Sequence, residues 1–278
     1  MLCIIYVITI STCLGGIGLL AEHALPATSA RRWIWIGVIG LSMAIPPLYR
    51  VRHSAAVHDA SFGHASSYDG FVDRLLLLSM WVSVALAAAQ ALRVSSLTRR
   101  FRRGPAVVDG VPSVITDSIG PATVGVFRTR VVIPRWVLAL PHAQRRYVLR
   151  HEEEHRHSRD TLLLFVASLA GVLMPWNLPI WWQLSRLRLA VEMDCDSRVV
   201  AALGDACAYS EMLLRVAEAA SRGPRLQPAL LGMGMLERRI VELVAPSTRT
   251  LAMRVFASAT AVALLIVVLM LPHPVAGH

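Results

Sequence analysis

His151-Glu152-Glu153-Glu154-His155 puts two imidazoles four residues apart with a carboxylate directly after the first. On a helix this spacing stacks both rings on one side, at a separation that suits a single zinc ion. Glu152, a fraction of a turn away, reaches a water on that ion without binding the metal. It is therefore the expected general base, taking the water's proton and delivering it to the leaving amine. From the chain's own His and Glu frequencies the pattern is expected by chance about 0.01 times. The competing reading is a solvated, charged helix face.

A hydrolytic zinc site needs three protein ligands and one open position. Glu192 and Asp196 lie 37 and 41 residues beyond His155, on one face of an expected helix from Leu184 to Leu203. Glu192 is the candidate third ligand. Asp196 is expected to orient an imidazole through its free N–H. Val191, Cys195 and Val199 set apolar neighbours beside this pair, and a buried carboxylate needs a partner or a metal. Cys195 is read as a small buried thiol, because a fourth protein ligand would close the site. His157, two residues past His155, turns to another face and is read as a surface residue.

These residues need positioning elements. Pro141 precedes a helical pattern from about His142 to Asp160 that sets Val148, His151, Glu152 and His155 on one face. Before it, Val111–Thr116, Thr123–Phe127 and Arg130–Pro134 are short, β-branched and separated by Gly, Pro or a basic turn, which suggests a small sheet. An edge strand of such a sheet can pair with an extended substrate, and Gly125 and Val126 are expected near the centre of that strand.

The rest of the chain is too apolar for an ordinary soluble domain: of its 278 residues 55% are hydrophobic and 17% charged. Four stretches approach the roughly 20 apolar residues that cross a bilayer: about 2–20, 33–49, 75–92 and 255–271. The first lacks the basic n-region of a secretory signal and reads as a retained helix. The stretch from Thr161 to Trp182 is apolar too, but Pro175, Asn177 and Pro179 interrupt it, so a re-entrant or membrane-surface segment is expected. The domain organisation follows: three spans in 1–92, a peptidase domain in 93–249, and a fourth span with a short tail in 250–278.

Arginine placement orients this layout. Arg31 and Arg32 mark the first loop as cytoplasmic, and Arg93, Arg99, Arg100, Arg102 and Arg103 mark the segment after the third span likewise. The amino terminus, the loop between Val51 and Asp73 and the tail from Pro272 then lie outside. The net charge of +10 suits anionic lipid and topology better than nucleic acid, so no direct nucleic-acid partner is expected. Cys3, Cys13, Cys195 and Cys207 have no framework spacing and predict no structural disulfide.

HEEEH, the stretch PWNLPIWW (Pro175 to Trp182) and EMDCD (Glu192 to Asp196) together resemble the membrane zinc metallopeptidases of the BlaR/MecR type, which transduce β-lactam signals in bacteria. GPATVGVFRTRVVIP (Gly120 to Pro134) and LERRI (Leu236 to Ile240) also match that family's pattern. The resemblance implies an α-helical multi-pass protein of the bacterial cytoplasmic membrane with an inserted α+β, zincin-like (gluzincin) domain on the cytoplasmic side. It implies His151, His155 and Glu192 as zinc ligands, Glu152 as base and Asp196 as their support. The implied role is signal transduction by cleaving a cytosolic regulator, such as a transcriptional repressor, or the chain itself. A housekeeping membrane protease of the heat-shock type and a non-catalytic zinc-stabilised scaffold are the alternatives. No S-x-x-K motif is visible, and no penicillin-binding sensor domain follows the fourth span within this sequence. The signal is therefore expected from a membrane partner or from the lipid itself.

Overall fold

The computed structural model describes residues 2–24, 30–54, 67–100, 106–117, 120–221, 229–245 and 250–270. They divide into two units: residues 1–89, 167–187 and 249–278 in one, and 90–166 and 188–248 in the other.

In the first unit apolar composition drives helix formation, because a helix satisfies its own backbone where side chains offer no polar partners. Helices α1 (Leu2–Ala24), α2 (Ala30–Ser54), α3 (Ser67–Arg100, to Ala89 in this unit) and α10 (Leu251–Met270) result, and α1 packs against both α2 and α10. Among the described residues three helices are long and apolar enough to cross a membrane: Ile4–Ala24, Leu77–Ser96 and Leu251–Val268. The second expected span, 33–49, lies inside α2 but is not among them. Its apolar run is short, bounded by Arg31 and Arg32 before and Arg50 after, and contains Pro46 and Pro47. Residues 55–66 of the expected outer loop, Arg102, Arg103 and the tail Pro272–His278 lie outside the described residues.

The segment assigned from sequence to the peptidase domain is split. Helix α6 (Asp160–Leu173) ends, the chain turns through residues 174–177, and α7 (Leu178–Leu203) begins; residues 167–187 group with α1 and α2. Buried polar side chains make that attachment. Asn177 Nδ2 donates to Ser11 Oγ at 2.9 Å, and Gln183 Nε2 donates to the Ser11 carbonyl at 2.7 Å and lies 3.2 Å from Ser42 Oγ. Arg186 bonds Glu22 at 2.6 Å, Trp35 donates to the same carboxylate at 3.2 Å, and the Trp35 and Trp182 rings meet edge to face. Buried charge in apolar surroundings is tolerated when paired in this way. Gly15 admits the Trp182 ring, which lies 2.7 Å from where a Cβ would stand.

The second unit is built on a four-stranded sheet of order β1-β2-β4-β3. Strand β2 (Val111–Thr116) runs parallel to β4 (Arg130–Pro134), while β1 (Ala106–Val108) and β3 (Ala122–Val124) flank them antiparallel. Val131, Val132 and Ile133 are fully buried, so β4 is covered on both faces. Strand β1, not foreseen from sequence, joins β2 through Asp109 and Gly110, both at positive φ as a two-residue hairpin turn requires. Strand β3 stops at Val124, earlier than the expected Thr123–Phe127. Gly125, with φ of 107°, turns the chain back toward β4, a conformation that suits glycine and ends the strand.

A short helix, α4 (Arg135–Leu138), leads into α5 (His142–His157). Tyr147, Val148 and Leu149 of α5 pack with Val111, Val131 and Ile133 of the sheet, Cys195 and Val199 of α7, and Tyr209 and Met212 of α8 (Ala206–Ser221). Helix α9 (Ala229–Val244) packs on α8.

Replacing Gln183 by Leu keeps the volume and removes its bonds to α1 and α2. At about 0.6 kcal/mol per interhelical bond, the loss is about 1 kcal/mol. Thermal unfolding in detergent should shift down by a few degrees, and an unchanged Tm would show that this polar seam does not hold the segment.

Candidate metal centre

Two turns in the backbone assemble the site. Helix α5 ends at His157, and Arg159 at φ 54° lets α6 start immediately at Asp160, whose carboxylate folds back onto the last turn of α5. Asp160 Oδ2 stands 2.8 Å from His155 Nδ1. Helix α7 ends at Gly204, whose N–H bonds the Val200 carbonyl at 2.8 Å, and Asp205 caps α8 by accepting from Ala208 N. That tight turn places Tyr209 in the first turns of α8, facing α7. Its hydroxyl is 2.8 Å from His151 Nδ1 and 2.7 Å from Asp196 Oδ1.

These bonds decide the tautomers. An ionised carboxylate only accepts, so the Tyr209 proton goes to Asp196 and the Tyr209 oxygen accepts from His151 Nδ1–H. His155 Nδ1–H likewise donates to Asp160. Both Nε2 atoms are left with lone pairs, and they lie 3.2 Å apart. The Glu192 carboxylate completes the group, with Oε2 at 3.6 Å from His151 Nε2 and Oε1 at 3.7 Å from His155 Nε2. Ligands about 2.0–2.2 Å from a tetrahedral ion stand about 3.3–3.6 Å apart, and the observed 3.2, 3.6 and 3.7 Å lie close to that range.

Electrostatics point the same way. Burial opposes protonation of His151, but the neighbouring Cys195 and Glu192 outweigh it and push the imidazole up to about 10. His155, also opposed by burial, is pushed up to about 12 by Asp160, Cys195 and Glu192. Burial alone would raise the Glu192 carboxyl, yet Arg239 and the two histidines hold it below its ordinary range. One Nε2–H can donate to the other Nε2 across the 3.2 Å gap, so a single positive charge, either a shared proton or a cation, satisfies both rings beside the carboxylate.

Glu152 is buried, and its Oε2 lies 3.0 Å from Thr123 Oγ1 on β3; the same hydroxyl is 2.7 Å from the Glu152 carbonyl. The general-base candidate is thus tethered to an edge strand. Glu154 pairs with Arg150 and Arg198, and Glu153 pairs with Arg156. His157 is exposed and bonds the Glu153 carbonyl.

Several sequence-based placements change. Asp196 lies 3.6 Å from His151 Nδ1, beyond hydrogen-bond reach, and acts through Tyr209 instead. Gly125 and Val126 lie past the end of β3, which leaves Ala122–Val124 as the edge beside α5. Cys195 is fully buried, and its sulfur stands 3.3 Å from His151 Nδ1. His151, His155 and Cys195 present donor atoms within 4.8 Å of one another, so the thiol is a rival third donor. Glu192 faces both Nε2 atoms, whereas Cys195 stands at the His151 ring edge already bonded to Tyr209 and also neighbours His155. Asp160, Tyr209 and Arg239 were not foreseen. Only LERRI, which contains Arg239, drew notice in the sequence.

Two imidazoles and a further anionic donor, set beside a general-base candidate and a sheet edge, form a centre of the metallohydrolase kind. Residues 73–243 match the family model described as BlaR1 peptidase M56, and the chain belongs to that family of metallopeptidases. Among curated proteins the comparison finds no match.

Tyr209→Phe removes the acceptor of His151 Nδ1–H without changing the ring packing. Metal affinity should fall about 10–100-fold, read by competition with a chromophoric chelator. Wild-type affinity would show that the tyrosine does not set the tautomer.

Proposed function

We propose that this chain is a membrane-embedded zinc endopeptidase whose zincin-like domain cleaves a cytosolic protein regulator, such as a transcriptional repressor, or the chain itself, in signal transduction. The observation that carries the reading is the pair of Nε2 lone pairs facing each other and Glu192, with buried Glu152 next to His151 in the chain. His151, His155 and Glu192 hold the ion. Zinc, when bound, supplies Lewis acidity toward a water and the scissile carbonyl.

The remaining work falls to the protein. Glu152 accepts the attacking water's proton and returns it to the leaving amine, and its burial beside Thr123 keeps the carboxylate in one orientation. Tyr209, with Asp196 behind it, and Asp160 keep both rings in the tautomer that leaves Nε2 free. The outer edge of β3, Ala122–Val124, offers backbone donors and acceptors to an extended substrate segment, which would lie alongside α5 and its base. Because φ at Gly125 is positive, the turn after β3 is the wrong place to perturb this edge.

The three apolar helices, and the exposed Leu77, Leu78, Met80 and Trp81 of α3, support a multi-pass layout in lipid. Helix α2, despite its shorter apolar run, is read as the further span, and the segment 161–182 as re-entrant or lying on the membrane surface. Arginine bias puts the peptidase domain in the cytoplasm of a bacterium, at the inner membrane, with its signal arriving from a membrane partner or from lipid.

A second reading has one observation in its favour. Cys195 close to His151 is a donor that a closed, structural zinc site would use. A buried carboxylate in the position of Glu152 is of no use to such a site.

Purified in detergent, the protein should bind one zinc per chain, His151→Ala or His155→Ala should lose it, and Glu152→Gln should keep zinc while peptide cleavage falls by at least about 100-fold. Normal cleavage by Glu152→Gln would end the mechanism. For orientation, a reporter fused after Arg103 should behave as cytoplasmic and one at Ser61 as external. The opposite pattern would put the peptidase outside.

A further inference from the structure

The guanidinium of Arg239, on α9, touches both carboxylates that α7 brings to the centre. Its Nε and Nη2 each bond Asp196 at 2.7 Å, and Nη1 lies 3.0 Å from Glu192 Oε2. The side chain is only 13% exposed. Three of its nitrogens are thus committed in a planar fork, which a lysine cannot reproduce.

The two oxygens of Glu192 are almost equivalent toward the imidazole pair, at 3.6 and 3.7 Å from their nearest Nε2 atoms. Nothing in the rings themselves stops the carboxylate from giving both oxygens to one cation. Doing so would fill the position that a hydrolytic centre must keep for water. Arg239 breaks the equivalence. Its charge-assisted bond draws electron density from Oε2 alone, and its two bonds to Asp196 fix the direction from which that pull comes. Oε1, with no such partner, remains the stronger donor.

Resting on the zinc reading above, we propose that Arg239 is a positioning residue that keeps Glu192 a one-oxygen ligand and so preserves the open position of the centre. It touches neither substrate nor the reacting atoms. Its effect is to set coordination number, so its removal should alter activity without expelling the metal. Asp196 then has two tasks, holding Tyr209 on one side and Arg239 on the other.

Cobalt(II) substitution of the full chain in detergent tests this, because the visible bands of a four-coordinate ion are several-fold more intense than those of a five-coordinate one. The wild-type protein should bind one cobalt with the intense spectrum. Arg239→Met should bind cobalt at least as tightly, show several-fold weaker bands, and cleave peptide far more slowly at unchanged KM. Because that variant leaves Asp196 buried without a counter-charge, the double variant Arg239→Met with Asp196→Asn carries the same spectral readout if the single one fails to fold. A wild-type spectrum in both variants, or cobalt held about 10–100-fold more weakly by Arg239→Met alone, would overturn the proposal. If instead the wild-type protein binds cobalt equally well after His151→Ala, the metal centre itself is misplaced, and that failure is separate from Arg239.

Discussion

In the neutral tautomers that Tyr209 and Asp160 impose, two imidazole nitrogens turn their lone pairs toward each other at 3.2 Å beside a carboxylate, an arrangement that repels itself until a proton or a cation sits inside it. That constraint organises the rest of the second unit. Each ring is locked from behind, His155 by Asp160 and His151 by Tyr209, so neither can relieve the repulsion by changing tautomer. Folding stores this opposition because the sheet and the packed helices α5, α7 and α8 hold the donors where they are. A bound cation then stabilises the fold as well as the site.

The locks depend on places where the chain reverses. Arg159 at positive φ returns Asp160 to His155, and the Gly204–Asp205 turn returns Tyr209 to His151 and Asp196. A third element, α9, brings Arg239 across to the same two carboxylates. The centre therefore draws on five helices, although the HEEEH motif occupies less than two turns of one.

Local periodicity explains what could be read beforehand. His151, Glu152 and His155 share a face by helical geometry alone, and Glu192 with Asp196 stands out as an acidic pair amid apolar neighbours. The strands Val111–Thr116 and Arg130–Pro134 declared themselves through β-branched residues. What depended on turns was hidden: Asp160 and Tyr209 have no spacing relative to HEEEH that means anything until the reversals are known. Gly125 sits in a short β-branched run, Thr123–Phe127, that reads as strand throughout, whereas its backbone angle ends the strand. The Asp109-Gly110 pair is a hairpin signal, and both residues take the positive φ it requires. Nor could composition divide α7, since a continuous helix carries Gln183 in one unit and Glu192 in the other.

The account stands on Glu192, and not Cys195, joining the two histidines at the ion. Zinc-edge X-ray absorption on the loaded full-length protein measures that directly. It should show only nitrogen and oxygen neighbours, at about 2.0–2.2 Å, with an imidazole signal from two rings. A sulfur neighbour at about 2.3 Å would make Cys195 a ligand, close the position kept for water, and contradict the reading of this centre as catalytic.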